Sequence, residues 1–225
     1  MQLHTDLSQR VVIFSEELPW VDSPIANVQR RMLERDGEEV ARATSIVRYA
    51  PGSHFTAHTH GGGEEFWVLE GAFSDEFGDY TPGTYIRNPP GSSHAPYSDE
   101  GCTIFVKLWQ MHPEDRQRSA ISTTQSAWIP GLVEGLQVMP LHNYGTEQVA
   151  LVKWAPNTTF QYHKHWGGEE IFVLEGVFED EQGVYPKGTW LRNLPGSVHT
   201  PFSREGCLIY VKTGHLAPHL RSGVQ

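Results

Sequence analysis

The chain is internally duplicated: residues 51–107 align on 156–212 at a constant offset of 105 with no gap, and 33 of the 57 pairs are identical. A repeat of about 100 residues is too long for a solenoid unit and long enough for a small domain with its own core. Two homologous domains in tandem are therefore expected, 1–118 and 119–225. The offset continues upstream, where Ile46-Val47-Arg48-Tyr49-Ala50 matches Leu151-Val152-Lys153-Trp154-Ala155. Trp20 and Trp128, 108 residues apart, mark equivalent leading strands. The polar stretch from His112 to Ser119, opened by Pro113, reads as the linker.

Within each repeat, Gly and Pro punctuate short runs rich in Val, Ile, Phe, Tyr and Trp, which is an all-β pattern. Strands are expected at 44–49, 55–60, 65–70, 84–88 and 102–109, with counterparts in the second half. Short antiparallel strands at this spacing predict a sandwich or a jelly-roll barrel. No segment has the period of an amphipathic helix.

The duplicated block also repeats a set of metal-ligand residues. His58-Thr59-His60-Gly61-Gly62-Gly63-Glu64 is followed by Pro90-Gly91-Ser92-Ser93-His94, and His163-Lys164-His165-Trp166-Gly167-Gly168-Glu169 by Pro195-Gly196-Ser197-Val198-His199. Residues i and i+2 of a strand share a face, so each His-x-His pair presents two imidazoles side by side. The glycines allow a turn that returns a carboxylate beside them. Each repeat can thus close a three-His, one-Glu site for a divalent ion. Spacing alone does not separate Glu64 from Glu65, or Glu169 from Glu170. The other histidines, His4, His54, His112, His142, His215 and His219, have no repeated counterpart and read as surface residues.

Composition narrows the function classes. A formal charge of −10 disfavours nucleic acid and anionic membranes. No apolar run approaches a membrane span, and the start lacks a basic and apolar leader, so a cytoplasmic protein is expected. Two Cys make neither a disulfide framework nor a four-Cys zinc site.

The pattern Gly52-x5-His58-x-His60-x3-Glu64-x6-Gly71, then Gly83-x5-Pro89-x-Gly91-x2-His94, resembles the two motifs of the cupin superfamily. The second copy departs at Asn157 and Leu194, neither a ligand position. The resemblance implies tandem double-stranded β-helix domains, a bicupin, with Glu64 and Glu169 as the ligands. The phrases Glu64-Glu65-Phe66-Trp67-Val68-Leu69-Glu70-Gly71, Arg87-Asn88-Pro89-Pro90-Gly91-Ser92-Ser93-His94 and Glu100-Gly101-Cys102 are most similar to the ChrR-type cupin-like domain of anti-sigma factors for extracytoplasmic-function sigma factors. That resemblance implies two divalent ions per chain, zinc foremost with iron, manganese or nickel as other choices, and an oxidative-stress regulatory role with a protein partner. The first 40 residues hold no Cys and no His-x3-Cys-x2-Cys segment, so the sigma-gripping zinc domain of that plan is not expected. The alternative is a metal-dependent, non-haem iron dioxygenase acting on a diketone or hydroxyaryl ketone. Three His and one Glu on an octahedral ion leave two positions for substrate and dioxygen, whereas on zinc they fill a tetrahedron. The duplication predicts a monomer with a pseudo-twofold axis, or a homodimer.

Other paired residues carry weaker expectations. Cys102 and Cys207 read as buried strand residues, or else as oxidisable sensors. Lys107 and Lys212 read as a solvated face, Arg87-Asn88 and Arg192-Asn193 as structural hydrogen-bonding residues, and Glu70 and Glu175 as exposed. Phe55, Phe66, Trp67, Phe73, Phe160, Ile171, Phe172 and Phe178 read as core or as the lining of an apolar pocket.

Overall fold

The computed structural model describes residues 1–216, so His219 lies outside the described residues. Within them the chain is almost entirely β, with a single three-residue 3-10 turn at Ser15–Glu17. It divides into two compact units, one of residues 1–5 and 18–126, the other of residues 6–17 and 127–225.

In the first unit the large antiparallel sheet runs Gln2–Leu3, Val28–Gly37, Ala41–Tyr49, Cys102–Leu108, Glu64–Gly71, Thr84–Asn88 and Ser119–Ser122. A smaller sheet carries Gly78–Tyr80, Phe73–Asp75, Tyr97–Ser98 and Ser53–His54, and a two-stranded ribbon pairs His58–His60 with Ser92–His94. The second unit repeats this plan: Ile129–Pro130, Leu136–Tyr144, Glu147–Trp154, Cys207–Thr213, Glu169–Asp180, Thr189–Asn193 and Val11–Phe14 form its large sheet, and His163–His165 pairs with Ser197–His199. Inward-facing Phe66, Val68, Phe73, Ile86, Ile104 and Val106 fill the first core, and Ile171, Val173, Phe178, Leu191 and Ile209 fill the second.

Three expectations are corrected. The boundary at 118/119 is crossed in both directions: Val11–Phe14 completes the second unit's sheet on Thr189–Asn193, and Ser119–Ser122 completes the first unit's sheet on Thr84–Asn88. The stretch read as a linker is packed rather than extended into solvent, because its charges meet buried partners: Asp115 is bound by Arg87 at 2.6 Å and Arg116 donates to the Pro90 carbonyl. Lys107 and Lys212 are not solvated but fully buried, with Nζ at 2.9 Å from Thr44 Oγ1 and 3.1 Å from Glu147 Oε1 respectively. A fourth difference is local: the run 55–60 is strand only at His58–His60.

Candidate metal centres

Each centre is assembled on the ribbon and on one strand of the large sheet. Opposite residues of an antiparallel pair share a face, and in the ribbon His58 faces His94 and His60 faces Ser92. Gly63 ends the connecting turn at φ +77°, a left-handed backbone conformation that favours glycine. The next residue, Glu64, enters the sheet on the core face with Phe66 and Val68. Glu65 therefore takes the opposite face, where Arg87 binds it and Tyr85 donates to it at 2.9 Å. The alternation separates the two carboxylates that spacing left open.

In the second unit the donor atoms of His163, His165, Glu169 and His199 all lie within 4.8 Å of one another. In the first, His58, His60 and His94 meet that condition, while Glu64 Oε2 stands 3.5 Å from His60 Nε2 and 3.6 Å from His94 Nε2. The closest nitrogens are His60 Nε2 and His94 Nε2 at 2.9 Å, and His165 Nε2 and His199 Nε2 at 3.0 Å.

For two histidines of each set, outer partners fix which nitrogen points inward. His58 Nδ1 donates to the Thr56 carbonyl at 3.1 Å and His163 Nδ1 to the Gln161 carbonyl at 3.0 Å. His94 Nδ1 donates to Asp75 Oδ2 at 3.1 Å and His199 Nδ1 lies 3.4 Å from Asp180 Oδ2. With Nδ1–H committed, the Nε2 lone pairs converge, which is the tautomer a metal-binding histidine needs. Asn88 Nδ2 donates to Glu64 Oε2 at 3.0 Å and Asn193 Nδ2 to Glu169 Oε2 at 2.9 Å, so the structural reading of Arg87-Asn88 and Arg192-Asn193 holds.

Burial pulls these groups in different directions. Desolvation lowers His60 and His163, and with the His199 charge it brings His165 down to about 4. Burial also acts to lower His94 and His199, but the hydrogen bonds to Asp75 and Asp180 and nearby carboxylates outweigh it and raise both. Glu169 is raised by burial. Burial would raise Asp75 and Asp180 as well, yet the hydrogen bonds from His94 and His199 and from neighbouring donors hold both below the ordinary carboxylate value.

Two residues that sequence reasoning passed over complete the surroundings. Arg10 donates to Asn193 and Tyr185 in the second unit, and Arg118 donates to Asn88 and Tyr80 in the first. The sequence signal was present: the two arginines are 108 residues apart, the spacing of Trp20 and Trp128. Cys102 and Cys207 sit in the two cores, where burial pushes their thiols up to about 11 and about 12, away from sensor chemistry. Of the histidines expected at the surface, His54 is exposed, but His142 is buried and His215 is enclosed with Nε2 at 3.1 Å from Glu170.

The family model of the ChrR Cupin-like domain matches residues 8–112 and again 116–217. The chain belongs to the ChrR Cupin-like family. Both candidate ligand sets of this ChrR Cupin-like chain fall inside the matched segments. Among solved structures it is similar to a dioxygenase candidate from Nostoc punctiforme, at 15% identity over 93% of this chain and 84% of that one, TM-score 0.74. It is also similar to a bacterial pirin from Escherichia coli in complex with nickel(II), at 12% identity, 91% and 98% coverage, TM-score 0.64. The oxalate decarboxylase of Lactobacillus farciminis in its formate complex matches at 11% identity, 92% and 86% coverage, TM-score 0.63. At these identities the likeness is one of fold. Among curated protein sequences, none matches the chain. No helix among the described residues is long and apolar enough to cross a membrane.

Proposed function

We propose that this ChrR Cupin-like protein is a bicupin that holds one divalent ion on His58, His60, Glu64 and His94 and a second on His163, His165, Glu169 and His199, in a regulatory, stress-sensing role. The observation that carries the reading is the twofold gathering of three imidazoles, two of each three with Nδ1 tied outward, beside a buried carboxylate held by an asparagine. Three imidazoles and a carboxylate accept zinc, iron, manganese or nickel, and the family resemblance puts zinc foremost. A bound ion would draw the four donors together and link folding to metal supply. The buried thiols of Cys102 and Cys207 are poor sensors, which favours the candidate metal sites as the sensing element of this reading. A cytoplasmic setting is the reading of the composition, and a regulatory protein partner that of the family resemblance.

A second reading, a metal-dependent dioxygenase of a diketone or hydroxyaryl ketone, draws on the more open first centre, where His58 is exposed and Glu64 stands outside the tightest donor set. Elemental analysis of untagged protein purified without added metal separates the two. About two zinc atoms per chain, falling to about one in His60→Ala, support the regulatory reading. Iron, manganese or nickel at that ratio, with oxygen uptake on adding a diketone, support the dioxygenase, and absence of metal overturns both.

A further inference from the structure

Arg10 and Arg118 lie outside the aligned block, yet they hold equivalent places in opposite units. Arg10 directly precedes Val11–Phe14, which joins the second unit, and Arg118 directly precedes Ser119–Ser122, which joins the first. Arg10 Nε donates to Asn193 Oδ1 at 2.9 Å, while Nη2 donates to Tyr185 OH at 2.5 Å and stands 3.5 Å from Asp180 Oδ2. Arg118 repeats the set: Nε to Asn88 Oδ1 at 3.3 Å, Nη2 to Tyr80 OH at 3.4 Å, and Nη2 to Asp75 Oδ2 at 3.6 Å. Its guanidinium also lies 3.5 Å from the Phe77 ring centroid.

The atoms these arginines hold are the ones that orient the candidate ligands. An asparagine amide has one acceptor end and one donor end. With Oδ1 bound to arginine, Nδ2 must face the carboxylate, as seen for Asn193 on Glu169 and Asn88 on Glu64. Without the arginine the amide is free to turn and present oxygen to oxygen. The same guanidinium reaches the Asp oxygen that orients the last histidine. One planar fork therefore closes behind two ligands at once, a task suited to arginine and beyond lysine.

We propose that Arg10 and Arg118 are positioning residues for the two metal centres, each supplied by the segment that leads into the opposite repeat: Arg10 for His199 and Glu169, Arg118 for His94 and Glu64. The inference rests on the metal-binding reading above.

The test uses full-length, metal-free protein titrated with cobalt(II), followed by its visible ligand-field absorption. In a His60→Ala background only the second centre is left intact, and in His165→Ala only the first. Arg10→Met should weaken cobalt binding at the second centre by about tenfold or more and change its spectrum, with Arg118→Met silent there. In the His165→Ala background the two substitutions should exchange effects. Arg10→Lys, which keeps the charge and loses the fork, should recover only part of the affinity. Unfolding midpoints of the metal-free variants show whether each protein is folded before titration. If the parent protein takes up two cobalt ions and each arginine substitution leaves its centre unaltered, or acts equally on both, the arginine assignment is overturned. Failure of the parent protein itself to take up cobalt overturns the metal reading, and the assignment with it.

Discussion

His165 and His199 share one small space and respond to acid in opposite senses. His199 is raised, because Asp180 and the nearby carboxylates outweigh its burial, whereas burial and the His199 charge bring His165 down to about 4. An unfolded imidazole titrates near about 6.5. The stability owed to a neutral His165 is therefore present above that pH and is lost as pH falls toward 4. The His199 contribution has the reverse sign, full below about 6.5 and lost as pH rises through its raised value. In metal-free protein, urea midpoints measured from pH 7 to 4 should fall, and His165→Gln should flatten the acid side of that curve. An unchanged acid limb would count against the assignment. The thiols make a second prediction at this scale. Cys102 and Cys207, buried and held as thiols, should react with an aromatic disulfide reagent only at the rate of unfolding, and become fast in denaturant. The eight candidate ligand positions stand out in the sequence because duplication makes each motif its own control. Arg10 and Arg118 carry a fainter signal, the 108 spacing they share with Trp20 and Trp128, and an arginine before a short apolar run otherwise looks like any surface residue.

Among the elements, the strand Glu64–Gly71 does the most to set the site, and its far end is as constrained as its start. The register against Cys102–Leu108 slips at Leu69, and Gly71 follows at φ +69° with its missing Cβ 2.0 Å from the Gly101 carbonyl. Gly176 repeats the contact at 2.1 Å. Gly71→Ala should cost roughly 2–4 kcal/mol in urea unfolding, combining the left-handed backbone with a clash that backbone must absorb. Gly52→Ala is the control: its φ is +73° but no atom lies within 4 Å, so a loss of about 1 kcal/mol is expected. Equal losses at both positions would show that conformation alone governs them. Of the strands expected in the first repeat, 84–88 matches Thr84–Asn88, and most others differ at their ends. Val28–Gly37 escaped sequence reasoning, because Arg30, Arg31, Glu34, Arg35 and Asp36 mask the alternation and a bulge between Met32 and Glu34 shifts it. Glu34 is nevertheless fully buried, ion-paired with Arg42. Lys107 and Lys212 misled in the same way, since composition registers a charge and not the partner that lets it be buried.

For the whole molecule, the tandem architecture was legible and the seam was not. A cut was expected in the polar stretch ending at residue 118, but strand pairing beyond it depends on which sheet edge lacks a neighbour, and that is long-range information. In the first unit the open edge is Thr84–Asn88, filled by Ser119–Ser122; in the second it is Thr189–Asn193, filled by Val11–Phe14. Expressed separately, residues 1–118 lack the strand that closes the first sheet, and residues 119–225 lack the one that closes the second. Each half should be poorly soluble through an unpaired edge, and the second should also bind metal weakly because it lacks Arg10. Extending the first half to residue 126 should restore its solubility, as judged by size-exclusion chromatography, while the second half stays deficient without residues 6–17. A soluble, fully loaded 119–225 fragment would contradict the strand exchange.

Exchange of leading strands also bears on how such a gene can change. With each copy lending a leading strand to the other, the duplication acts as a ratchet: deleting either copy strips a strand from the survivor. Drift can then alter the loops around one centre, as where Lys164, Trp166 and Val198 stand in place of Thr59, Gly61 and Ser93, but reversion to a single barrel is closed.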